Sequence, residues 1–200
     1  MREVFGKSAL ATAVANRIGG HLALDFCNTA GEHLAARPDE MLLDWEVFVR
    51  WAVQVGLIGA ESYAVLLRSP ASVGKIVQLR EAIYRAGLAL ARGERVTEGD
   101  LLAIREQANV RKPEVAGGRD GLRWRPDAAR ASTQLRAVLA SEALSLFCSP
   151  RSSRIGICEG GLCGWLFLDD SRGKRRRWCD MKDCGNRAKA QRYYKQQKSE

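Results

Sequence analysis

Cys158, Cys163, Cys179 and Cys184 form two pairs, C-E-G-G-L-C and C-D-M-K-D-C. Four residues separate the members of each pair, and fifteen separate the pairs. Thiolates are soft donors, and two short-spaced pairs on facing knuckles can enclose one metal ion in a tetrahedron. Four sulfur ligands leave no open coordination position. The spacing therefore predicts one structural Zn2+ and argues against hydrolytic chemistry at the metal. Iron, or two disulfides in a secreted protein, are the alternative uses of such a set. His21 and His33 lie too far upstream to enter it readily.

Cations crowd the same segment: Arg172, Lys174, Arg175, Arg176, Arg177, Lys182, Arg187, Lys189, Arg192, Lys195 and Lys198. The whole chain of 200 residues has a net charge of +9. Residues 151–200 hold 13 Lys and Arg against 6 Asp and Glu, a net of +7, which leaves +2 for residues 1–150. A nearly neutral body with a basic tail points to an anionic partner. Some of these arginines are expected to offset the thiolate charge instead, but eleven cations exceed that need.

The tail's elements follow from its pattern. A strand over 154–157 should enter the first knuckle. Trp165–Leu168 should return as an apolar strand, and Asp169, Asp170, Ser171 and Gly173 should turn the chain. A helix should open at Cys184 and run to about Gln197. On that helix Asn186, Ala190, Tyr193, Tyr194 and Gln197 share one side, and Lys189, Arg192, Lys195 and Gln196 the other. The tyrosine side is expected to pack inward and leave a cationic stripe outward. About 45 residues cannot bury enough apolar surface to fold alone, so a metal must supply much of the stability.

Upstream, the periodicity is mostly helical. Leu22, Leu24 and Phe26 alternate, which suits a short strand or an extended entry into a helix. Asp44 should cap a helix carrying Trp45, Phe48, Ala52 and Val55, stopped at Gly56. A shorter helix is expected over 60–67. The stretch 72–91 reads as a long amphipathic helix with Ile76, Leu79, Ile83 and Ala86 inward and Arg80, Glu81 and Arg85 outward. Thr97 should cap the next helix, with Asp100 three residues on. Segments 109–115 and 121–125 flank A-G-G-R-D as a β-hairpin, and Pro126 should open a last helix through Phe147. The first fifteen residues are weakly patterned. Cys27 and Cys148 are expected to be buried free thiols.

The fold class is α+β: a mostly helical body with a small β-hairpin over residues 1–150, then a four-cysteine zinc finger of short strands and a terminal helix over residues 151–200. No segment resembles a signal peptide or approaches the ~20 apolar residues of a membrane span. The expectation is a cytoplasmic, nucleoid-associated protein.

The stretch R-R-R-W-C-D-M-K-D-C-G-N-R-A-K, 175–189, closely resembles the bacterial CGNR zinc finger family, its naming motif standing at Cys184-Gly185-Asn186-Arg187. C-E-G-G-L-C-G-W-L-F-L-D-D-S fits that family's first knuckle and strand. L-A-L-D-F-C-N-T, 22–29, looks like the opening of the ABATE domain that often precedes this finger. The resemblance implies four cysteine zinc ligands and stress-related transcription regulation. Asp180 and Asp183, around the second knuckle, would weaken phosphate contact there.

These readings converge on a non-enzymatic DNA-binding regulator, with double-stranded DNA met by Arg175, Arg176, Arg177, Arg187, Lys189, Arg192 and Lys195. Base edges would fall to Arg187, Gln191, Arg192 or Gln196. The body is assigned sensing or dimerisation, with a small-molecule effector or a second copy as partner. Asp25, Asn28 and Thr29 either line a ligand pocket or cap and bridge buried backbone groups. The rival functions are an RNA-binding module, a protein-interaction module docking an acidic partner, and an enzyme built on the Asp25–Asn28 region.

Overall fold

The computed structural model describes residues 17–118 and 121–197. The weakly patterned first fifteen residues, the hairpin tip at Arg119 and Asp120, and Lys198 lie outside them.

The body begins with α1 (Leu22–Cys27), a six-residue helix capped by His21, whose Nδ1 accepts from the Ala23 amide. Five of its residues, Ala23 to Cys27, are buried. A helix enclosed on every side shows no polar face, so its leucines and phenylalanine read equally as an alternating strand. It leads into β1 (Ala30–Gly31), paired antiparallel with β2 (Asp39–Glu40).

Next come α2 (Trp45–Gln54) and α3 (Glu61–Leu67). Asp44 caps α2 by accepting from the Val47 amide at 2.9 Å, as its position predicts. Trp45, Phe48 and Trp51 form an aromatic run, with ring centroids 5.6 and 5.9 Å apart, and Phe26 of α1 meets Trp51 at 5.5 Å.

The longest helix is α4 (Gly74–Arg92), ended by Gly93 in the left-handed conformation. Ile76, Leu79, Ile83 and Ala86 are buried as expected, but Arg80 is buried too, at 2% exposure. The outward assignment of Arg80 is wrong because 76, 80 and 83 follow i, i+4, i+7 and share one face. Its guanidinium is compensated in place. Both Nη atoms donate to the Glu40 carboxylate at 2.7 Å, and Nη2 also reaches Glu81 at 2.8 Å.

Thr97 caps α5 (Glu98–Ala108), accepting from the Asp100 amide. The hairpin follows as β3 (Glu114–Gly118) and β4 (Gly121–Arg125). Pro126 does not open the next helix. Asp127 caps a 3-10 turn over Ala128–Arg130, and α6 (Ala131–Phe147) begins after it. Helices α1, α4, α5 and α6 pack around one core. Cys27 is buried within it, whereas Cys148, just past α6, is exposed. None of the described helices is long and apolar enough to cross a membrane.

A 3-10 turn over Pro150–Arg154 delivers the chain to β5 (Ile155–Ile157), which pairs antiparallel with β6 (Leu166–Leu168). The terminal helix α7 (Asn186–Gln197) closes the described chain. The architecture is thus a mostly helical body with small hairpins, and a C-terminal four-cysteine cluster carried by short strands and a terminal helix.

Candidate metal centre

Strand β6 is the seam on which the cluster is built. Side chains alternate across a strand, so Leu166 and Leu168 point one way and Phe167 the other. Leu166 and Leu168 complete the body's core together with Ile155 of β5. Phe167 instead forms a second apolar cluster with Cys158, Cys163, Cys179 and Cys184, flanked by Ile18, Trp165 and Trp178.

The four sulfurs lie within 4.8 Å of one another, and all four residues are buried. Cys163 and Cys179 Sγ are 3.8 Å apart, and Cys179 and Cys184 Sγ 3.6 Å. Zinc–sulfur bonds of ~2.3 Å place tetrahedral sulfurs about 3.8 Å apart. The donor set, its burial and its spacing all fit one Zn2+, which cross-links the two knuckles and supplies no catalytic position.

The shell around the sulfurs tells the same story. The Cys163 and Cys179 thiols, then the backbone amides of Cys179 and Gly160, hydrogen-bond to Cys158 and hold its thiol well below the ordinary range. That proximity opposes further ionisation: contact with Cys158 pushes the Cys163 thiol up, to about 12, and raises Cys179 as well. Four adjacent thiolates therefore need a cation among them. Arg187 supplies part of the outer balance, its Nη2 donating to Cys184 Sγ at 3.1 Å. Gly160 is required by space, since a Cβ there would lie 2.8 Å from Cys184 Sγ.

In the second knuckle Asp180 accepts from the Lys182 amide at 2.7 Å and caps one wide turn, Met181–Gly185. Cys184 belongs to that turn, so the helix opens at Asn186, two residues later than the sequence suggests.

Residues 20–150 match the family described as ABATE, "Putative stress-induced transcription regulator". That span is more than half of the chain. The chain belongs to the ABATE family. Residues 154–197 match the CGNR zinc finger, which contains all four cysteines. No curated protein matches the chain.

The CGNR finger is bound tightly to the ABATE body. The Asn28 side chain accepts from the Leu166 amide and donates to its carbonyl, both at 2.9 Å. Trp165 Nε1 donates to the Ala30 carbonyl at 2.7 Å. The amides of His33 and Leu34 donate to the Cys163 and Leu162 carbonyls. Tyr84 of α4 donates to the Gly164 carbonyl at 3.0 Å, while its ring stacks on His33 at 3.5 Å. Gly164 has φ +64, and a Cβ there would strike Leu34 at 2.6 Å.

Asp25, Asn28 and Thr29 all make hydrogen bonds to backbone groups, Asn28 across to the finger and the other two inside the ABATE body. Asp25 accepts from the Gly19 amide at 2.8 Å. Thr29 Oγ1 donates to the Phe26 carbonyl, and Arg80 reaches the Thr29 carbonyl. Burial pushes the Asp25 carboxyl up to about 6, against the Gly19 hydrogen bond and the Arg17 charge.

The arginine run divides by role. Arg176 is turned inward, with its guanidinium 4.3 Å over the Phe167 ring and donating to the Ile18, Leu168, Trp178 and Cys179 carbonyls. Its donors are committed to backbone carbonyls, unlike those of its neighbours in the run. Arg177 pairs with Glu159, and Arg187 with Asp183 as well as Cys184. Arg175, Lys189 and Arg192 make no ion pair among the described residues, and Lys195 lies on the exposed helix beside them. The Arg176 role left one sequence signal, its position between the apolar W-L-F-L strand and the second knuckle. The Trp165, His33 and Tyr84 contacts left none.

The inward packing expected of the tyrosines is not found. Tyr193 and Tyr194 are 58% and 64% exposed, and no residue of α7 is buried.

Proposed function

We propose that this ABATE-family chain is a DNA-binding transcription regulator that uses its zinc finger to hold α7 outward as a cationic probe. The observation that carries the reading is α7 itself. It springs from the second knuckle, and every residue from Lys189 to Gln197 is exposed. A helix so polar, with a mean hydropathy far below that of α2, gains little from burial and much from a polyanion. Arg172, Arg175, Lys182, Lys189 and Arg192 form no ion pair among the described residues and flank the same knob. Cations of this kind bind phosphates by displacing counterions. Arg187, Gln191 and Gln196 supply groups able to read base edges.

On this reading the protein is a binding protein rather than a catalyst, works in the cytoplasm on the nucleoid, and gains affinity by pairing two copies. The test is fluorescence anisotropy with random and selected duplexes over a salt series. Binding that falls steeply with salt supports the reading. Absence of duplex binding at low salt overturns it.

One feature favours a second reading. Exposed Tyr193 and Tyr194 could stack on unpaired bases, which suits single-stranded or structured RNA. Competition between duplex DNA and structured RNA for the same protein separates the two.

A further inference from the structure

A cleft of about 530 Å³ opens on the ABATE body, far in sequence from the cysteines, between α3, the β3–β4 hairpin and the start of α6. Its volume falls in the range of small-molecule sites. Its apolar lining comes from Val65, Leu66 and Pro126.

Two mostly buried residues line it with donors that no protein group among the described residues takes up. Ser62 is 7% exposed, and its hydroxyl has no hydrogen-bond partner among the described residues. Gln134 is 9% exposed, and its Oε1 accepts from the Asp127 amide at 2.8 Å. That bond fixes the orientation of the amide group and leaves its Nε2 as a donor. Neither donor is sealed from solvent, so a ligand that enters the cleft can take up both.

The charges narrow the ligand class. Arg111 and Arg130 line the same cleft, and neither forms an ion pair among the described residues. Arg125 is already paired with Glu114, and the Lys112 ammonium donates to the Ala108 carbonyl. Glu61 and Asp127 also face the cleft, so a multiply charged anion would meet repulsion. A single negative charge on an apolar body meets the two arginines, the hydroxyl, the amide and the apolar wall together.

We infer that this cleft is an effector site for a small organic monocarboxylate. It stands apart from the Asp25 region, and its occupancy does not depend on DNA binding by the finger.

The test uses the full-length zinc-loaded protein and 4-fluorobenzoate, followed by 19F NMR line broadening. Saturable binding is expected. Arg111→Gln with Arg130→Gln should weaken it by about 10-fold or more, as loss of charge-assisted hydrogen bonds implies, and Ser62→Ala several-fold. Both arginines are exposed, so the double variant should keep its thermal melt. Neutral 4-fluorobenzamide should bind at least about 10-fold more weakly, and inorganic phosphate should not displace the carboxylate. No saturable binding, equal binding of the amide, binding unchanged in the arginine variant, or displacement by phosphate would each overturn the assignment.

Discussion

The side-chain amide of Asn28 makes both backbone hydrogen bonds of Leu166, donating to its carbonyl and accepting from its amide, each at 2.9 Å. One side chain from the body thus acts as a strand partner for the finger. Leu166 is fully buried, so neither of its backbone groups can turn to water instead.

Asn28→Ala should therefore strand two buried backbone groups and cost about 2–4 kcal/mol of stability. Asn28→Asp, which loses the donor, should cost a comparable amount. Urea unfolding measures both. A loss near zero would mean that the seam between body and finger is held elsewhere.

The shared core has a consequence for metal removal. From the sequence alone, loss of the metal is expected to melt the finger while residues 1–148 stay folded. Leu166 and Leu168, however, are fixed by the cluster on one side of β6 and belong to the body's core on the other. Cys179→Ser should abolish zinc binding and also lower the body's melting temperature, seen in the near-ultraviolet signal of the Trp51 aromatic cluster. A body transition identical to that of the parent protein would separate the two units.

Arg175 and Arg176 should behave as opposites. Arg176→Ala removes donors to four carbonyls and a contact with Phe167, and should cost about 2–4 kcal/mol. Arg175 is exposed, so Arg175→Ala should leave stability within about 0.5 kcal/mol and weaken DNA binding instead. Thermal melts beside anisotropy titrations separate the effects.

Replacing Lys189, Arg192 and Lys195 with Ala should weaken duplex binding across all sequences. The slope of log K against log salt should become shallower by up to about 3. An unchanged slope would remove α7 from the interface.

Asp25 gives a pH signature. Burial raises its folded pKa to about 6, above an unfolded value near 4. Between those values the folded state binds more protons, so this contribution is full below about pH 4 and is lost as pH rises through about 6. Asp25→Asn keeps an acceptor for Gly19 and should flatten the stability profile in that window. A variant with the parent's slope there would reject the assignment.

Much of this was legible because certain signals are local. The cysteine spacing, the caps Asp44 and Thr97 and the second hairpin strand each depend on a few neighbouring residues, whereas the first strand, expected over 109–115, lies at Glu114–Gly118 and takes in part of the expected turn. What was missed depends on packing. Leu22–Cys27 gave no helical period because the helix is enclosed on all sides. Arg80 was read as outward because burial of an arginine needs Glu40, forty residues away in sequence. Arg176 looked like its exposed neighbours because its partners lie on three separate segments. The tyrosines of α7 looked like an inward face, but nothing among the described residues covers them.

The most direct measurement compares duplex binding by zinc-loaded protein, by the same protein stripped with a chelator, and by stripped protein given back zinc, with metal content measured for each. A sulfur-held ion that sets the attitude of α7 requires about one zinc per chain, loss of affinity by about 10-fold or more on stripping, and recovery on reloading. Equal affinity in the metal-free protein, or isolation of a natively folded chain that holds no metal, would contradict it.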